Sequence, residues 1–181
     1  MVKLIDGQEV NGYHWVYTGA LSDVEYTLTV RDTVTGAEKS YRNPPGQIAS
    51  RADVDAFPSS DVSEGDTPVF GAGETLFLGD QKRFRVTVEF HHPLQSGEIR
   101  QATAVPLTGD TGAFWFFGPR NLELMIKVLD GRSVNGRFWV YYGSLSDVRY
   151  TITVTDTMTG ATKTYQNPPG RLVSRADTGA F

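Results

Sequence analysis

Along residues 24–30 the side chains alternate, with Val24, Tyr26, Leu28 and Val30 on one face and Glu25, Thr27 and Thr29 on the other. This is the two-residue period of a strand with one wet face. It recurs at residues 148–154 and at 84–90, where Phe84, Val86, Val88 and Phe90 oppose Arg85, Thr87 and Glu89. Between the runs stand DGQEVNG, DTVTGA, DGRSVNG and DTMTGA, in which Asp, Asn and Gly supply local capping and positive φ. No apolar stripe keeps helical spacing for three turns, so almost no helix is expected.

Residues 1–57 laid on residues 125–181 match without a gap at a constant offset of 124, with 36 identical positions. Such self-similarity decides the organisation of a chain. We term the repeated stretch the B segment. Residues 58–68, PSSDVSEGDTP, read as an acidic linker, and residues 69–124 as an A segment, giving the order B, linker, A, B. Strands are expected near 75–78, 83–91, 100–105, 113–117, 122–129, 137–142, 148–155 and 163–166, and in the front segment near 2–5, 13–18, 24–31 and 39–42.

One-sided strands must cover their apolar faces, which two packed sheets achieve in residues 69–181. The expected fold is therefore all-β, an immunoglobulin-like antiparallel β-sandwich in tandem with an N-terminal half-domain at 1–57. A closed barrel is the alternative. Met1 aligns with Met125, so it reads as an internal residue of a longer array.

The half-domain poses a physical problem. Burying one aromatic or aliphatic side chain is worth about 1.5–3 kcal/mol, so a wet face carrying Trp15, Tyr26, Leu28 and Val30 costs several kcal/mol and invites association. Three coverings are open: a second front segment across a symmetry axis, the complete domain of the same chain, or none, with the segment disordered. Pairing between chains is the favoured expectation, making other copies or neighbouring modules the partners.

Composition narrows the chemistry. With 17 basic and 21 acidic side chains the formal charge is −4, the wrong sign for a nucleic-acid partner. No stretch approaches the roughly 18 apolar residues of a membrane-spanning helix. Absence of cysteine excludes disulfides and thiolate chemistry. His91 and His92 with Glu89 suggest a metal, but adjacent strand residues point to opposite faces, so no metal site is assigned. The SLSD stretch at 144–147 and ALSD at 20–23 lack a histidine base and read as tight turns. Glu25 becomes Arg149 in the second B segment, which breaks a paired-carboxylate scheme. Asp53, Asp55, Asp61, Glu64 and Asp66 crowd the linker region, and calcium is the only cofactor they suggest, without the helix–loop spacing of a dedicated site.

Aromatics are the remaining signal. Phe114, Trp115, Phe116 and Phe117 stand consecutively, and Trp139, Tyr141 and Tyr142 share a strand equivalent to Trp15, Tyr17 and Thr18. Alternation puts Phe114 and Phe116 on one side and Trp115 and Phe117 on the other, so one pair belongs to the core. Trp115, Trp139, Tyr141, Trp15 and Tyr17 form the candidate platform on which sugar rings could stack.

The residues of FWFF, ELMIKVLDG and NGRFWVYYGSLSDVRYT resemble a repeated domain of uncharacterised function in large secreted or surface proteins of environmental bacteria. The likeness covers A and B together. It implies an extracellular or cell-surface β-module without an established catalytic residue. The leading expectation is a non-enzymatic structural or adhesive module. The alternatives are a polysaccharide-binding module of a secreted hydrolase and a secreted protease inhibitor that offers a strand edge to its target.

Overall fold

The computed structural model describes residues 1–59, 73–93 and 97–181. It is all-β, with 55% strand and 7% helix. The front segment contains β1 (Val2–Gly7), a single helical turn α1 (Gln8–Asn11), β2 (Tyr13–Gly19), β3 (Tyr26–Arg31), β4 (Glu38–Asn43) and β5 (Ser50–Pro58). The A segment supplies β6 (Thr75–Leu78), β7 (Phe84–His91), β8 (Ile99–Gln101), β9 (Thr103–Pro106) and β10 (Thr111–Trp115). The rear B segment supplies β11 (Leu124–Gly131), the turn α2 (Arg132–Asn135), β12 (Arg137–Ser144), β13 (Tyr150–Asp156), β14 (Thr162–Asn167) and β15 (Ser174–Asp177).

A and the rear B interleave. One antiparallel sheet has the order β15-β12-β11-β10-β9 and the other β14-β13-β7-β6, with β8 also on β7. Both sheets are open, and no barrel forms among the described residues. A single core draws Phe114, Ile126, Val128, Val140 and Tyr142 from the first sheet and Leu76, Phe84, Val86, Val88, Phe90, Ile152 and Val154 from the second. Phe114 and Phe116 are the buried pair of the aromatic run, and Phe116 stacks on Phe90 with centroids 4.7 Å apart.

The expected strand at 100–105 is divided at Ala102. β8 pairs with β7 and β9 with β10, so the chain changes sheets there, and Ala102 is fully buried with its N–H on Val88 O at 2.8 Å. Two strands, β5 and β15, were not expected at all. Their SRAD sequences are polar and show little alternation, but β5 pairs with β2 and β15 with β12. β5 extends through Pro58, the first residue assigned to the linker, and residues 60–72 lie outside the described residues.

In the front segment β1-β2-β5 and β3-β4 form two smaller sheets around Val16, Tyr41, Ala56 and Phe57. Its register repeats that of the rear at the offset of 124: Val2 opposes Thr18 as Ile126 opposes Tyr142, and Tyr26 opposes Asn43 as Tyr150 opposes Asn167. Two buried devices recur as well. Asn43 Nδ2 donates to Val24 O and Gln47 O, and Asn167 Nδ2 to Val148 O and Arg171 O, all at 2.8–3.0 Å, pinning the NPPG turns. The Tyr41 hydroxyl donates to Asp53 at 2.8 Å and that of Tyr165 to Asp177 at 2.9 Å, tying one sheet of each unit to the other. What the front lacks is A: β10 lies along β11 and β7 along β13, while β1 and β3 have no such neighbours among the described residues.

Candidate interaction site

Two of the three tryptophans expected on a flat platform, Trp15 and Trp139, belong to a local staple. After α1 and α2 the chain turns at Gly12 and Gly136, both left-handed with φ of 78° and 74°. This returns Trp15 and Trp139 over Gly7 and Gly131. A Cβ on Gly7 would lie 2.2 Å from Trp15 Nε1, and one on Gly131 2.1 Å from Trp139 Cε2. Trp15 Nε1 donates to Asn11 Oδ1 and Trp139 Nε1 to Asn135 Oδ1, each at 2.8 Å. Those asparagines in turn donate to Val54 O and Thr178 O at 2.8 Å, holding the middle of β5 and the tail beyond β15. The repeated spacing D-G-x-x-V-N-G-x-x-W thus has a structural account: glycine makes room for the indole and asparagine accepts its proton.

Tyr141 lies 6.5 Å from Trp139 at an interplanar angle of 64°, with Lys127 Nζ 4.9 Å from its centroid. Lys3 Nζ sits in the same way 4.9 Å from Tyr17. Trp115 stands at the other end of the sheet, since β10 meets Leu124 at Phe114 whereas Trp139 opposes Leu129. The five aromatics therefore do not converge on one plane.

The polar candidates are also dispersed. His92 packs edge-on to Phe117, and Glu89 accepts from Gln101 Nε2 at 2.9 Å. Asp53 holds the Tyr41 hydroxyl and faces Lys39 at 3.5 Å, while Asp61, Glu64 and Asp66 lie outside the described residues. Among the described residues no three His, Asp or Glu side chains gather closely enough to hold a metal ion. In the 144–147 turn the serines bond the backbone: Ser144 Oγ donates to Ser146 O and accepts from its N–H, whereas Asp147 contributes its carbonyl, to Gly170 N at 2.7 Å.

Where β7 enters the rear core, one end of the unit is closed by an ion pair. Arg83 Nη2 and Nε meet Asp156 Oδ2 and Oδ1 at 2.6 and 2.9 Å, and the guanidinium carbon lies 4.3 Å from the Phe138 centroid. The Arg83 bonds hold the Asp156 carboxyl down to about 2. Phe84 follows, packed on Phe138 and Phe181 at 5.0 and 5.3 Å. Beside this cluster is a cleft of about 350 Å³ lined by Asp80, Arg83, Asp110, Asp130, Arg132 and Phe138.

The two B segments meet along a reciprocal seam. Ser50 and its equivalent Ser174 hydrogen-bond each other through their hydroxyls. Gly19 lies against Ser144 O and Leu145, and Gly143 against Ala20 O and Gly19. Tyr17 feels the charge of Asp147 as Tyr141 feels that of Asp23. Residues that swap partners in this way mark a local two-fold axis, the geometry of an isologous contact within one chain. Lys3 breaks the symmetry: its Nζ donates to Leu145 O at 2.8 Å. Burial lowers its pKa to about 8 against the field of Glu123, and burial raises Glu123 to about 7. The front segment therefore packs on the rear unit of the same chain through strand ends and outer-face residues, a contact that does not cover its apolar face.

The inner face remains open. Val2, Leu4 and Tyr26 are 40%, 58% and 37% exposed, whereas their equivalents Ile126, Val128 and Tyr150 are 0%, 2% and 1% exposed. Of the assembly residues expected there, Leu28 and Val30 are half-buried against the small front core, Tyr26 is exposed, and Trp15 turns to the outer face. Leu4, Val30 and Phe57 border a recess of about 250 Å³ together with His14 and Asp32. Comparison with protein-family models, curated proteins and solved structures gives no match.

Proposed function

We propose that the chain is a non-enzymatic assembly module that works by contact, built from immunoglobulin-like β-sandwich units in tandem and joined to further modules through the open face of its front segment. The observation that carries this reading is the contrast at equivalent positions: apolar side chains buried in the rear unit stand in water in the front one. An exposed apolar patch beside an unpaired strand edge is a template for another β-element. The resemblance to repeated domains of secreted bacterial proteins supports a place at the cell surface.

Light scattering on the full chain tests it. Self-association at micromolar concentration that the Leu4→Lys, Tyr26→Lys double variant abolishes is the expected result. Both side chains are exposed, so the variant keeps the fold. A monomeric mass for both proteins, with the front segment ordered, would overturn assembly through copies.

A further inference from the structure

We infer that the open front segment is the receptor for a further A-type segment, one outside residues 1–181: a polypeptide with the pattern of residues 73–124, whose β7-like strand pairs with β3 and whose Arg–Phe step seats at Asp32. This deepens the assembly reading by naming the occupant, and rests on it.

Three observations specify that occupant. First, register: in the rear unit β7 pairs with β13 from Tyr150 opposite Phe90 to Asp156 opposite Phe84. Subtracting 124 maps this onto Tyr26 to Asp32, along β3 and the residue after it, an edge with no neighbour among the described residues. Second, shape: Phe84 fills the rear core between Phe138 and Phe181. The corresponding front residues are His14 and Phe57, which border the 250 Å³ recess. Third, charge: Asp156 is held by Arg83, while its equivalent Asp32 is bonded within its own turn, by the Thr35 hydroxyl and the Val34 and Thr35 N–H groups, and Arg31 on the rim of the recess faces Glu38 at 3.7 Å. An arginine arriving at that recess restores the ion pair of the rear unit.

Stoichiometry excludes exchange between copies as the source. Residues 1–181 carry one A and two B segments, so an A exchanged between two such stretches fills one front segment only by emptying a rear one and gains nothing. An additional A satisfies the front face without that loss and supplies the arginine that pairing of two front segments does not.

The test uses the full chain and a separate polypeptide of residues 73–124. Amide hydrogen exchange across Tyr26–Arg31 should slow on addition of the polypeptide at one-to-one stoichiometry, with exchange across Tyr150–Asp156 unchanged. Arg83→Met in the polypeptide, or Asp32→Asn in the chain, should each weaken binding roughly tenfold, with little further loss when combined, because both remove the same charge-assisted bonds. No slowing at β3, slowing at β13 instead, or equal binding of a scrambled 73–124 polypeptide would overturn the inference. Light scattering on the chain alone reports self-association independently, so this occupant and the wider assembly role can fail separately.

Discussion

Gly131→Ala isolates the staple that takes Trp139 away from any binding platform. Gly131 has φ −97° and ψ 11°, in the bridge region that alanine can enter, so the backbone contributes far less than the contact does. The new methyl group would lie 2.1, 2.2 and 2.6 Å from Trp139 Cε2, Nε1 and Cδ2. Carbon contacts are comfortable at about 3.5–4.0 Å, so the indole must retreat by more than an ångström. The retreat breaks the 2.8 Å bond to Asn135. Overpacking costs about 1–3 kcal/mol and the lost hydrogen bond about 1 kcal/mol, together about 2–4 kcal/mol. In a chain of this size that lowers Tm by roughly 5–15 °C. Calorimetry with tryptophan emission is the assay, and Ser133→Ala, on the surface of α2, is the control. An unshifted Tm with unchanged indole emission would refute the account and return the face of Trp139 to candidate ligands.

Two further outcomes follow from buried polar groups. Glu123 is 1% exposed, with Oε2 accepting the Phe116 N–H at 2.6 Å, and burial raises its pKa from 4.5 to about 7. Over that window the folded chain binds more protons than the unfolded one, so stability contributed by neutral Glu123 is complete below pH 4.5 and lost as pH rises to about 7. The loss is at most about 3 kcal/mol; denaturant titrations across this range should show the slope in the native chain and its disappearance in Glu123→Gln. Asn167→Ala removes the donors to Val148 O and Arg171 O and the acceptor for Val173 N–H at 3.1 Å, for a cost of about 3 kcal/mol read from a urea midpoint.

The strands at Tyr26 and Phe84 are legible because alternation is local: each residue reports its own face. The aromatic run divides as alternation demands, with Phe114 and Phe116 inward. β5 and β15 are illegible for the converse reason, since an edge strand of polar residues is defined by its neighbour's hydrogen bonds and carries no pattern of its own. Tyr41 with Asp53, and Tyr165 with Asp177, leave one sequence trace, the persistence of both residues at the repeat offset. Glu123 was missed although it stands between Leu122 and Leu124 at the start of a core strand, where a lone acid marks a buried exception. The seam through Ser50 and Ser174 is not readable at all, because reciprocity exists only once both B segments are placed.

Comparing the two B segments separates what a strand pattern encodes from what its neighbours decide. The front segment keeps tyrosine at 26 and 41, phenylalanine at 57 and aliphatic residues at 2, 4, 28 and 30, the positions that line the rear core as Tyr150, Tyr165, Phe181, Ile126, Val128, Ile152 and Val154. The inner face becomes smaller or more polar at His14 for Phe138, Thr18 for Tyr142, Val2 for Ile126 and Ala49 for Val173. A face meant to stay in water has no physical reason to hold so many apolar side chains, because each costs solubility and offers an edge for unwanted pairing. Within the chain the rear unit shows what those side chains do once an A segment lies beside them: they vanish from solvent, and Asp156 acquires its arginine. The front unit has the same register, the same turn-pinning asparagine and the same tyrosine–aspartate tie without that neighbour. Its frame is therefore set within B, while closure of its interior depends on A.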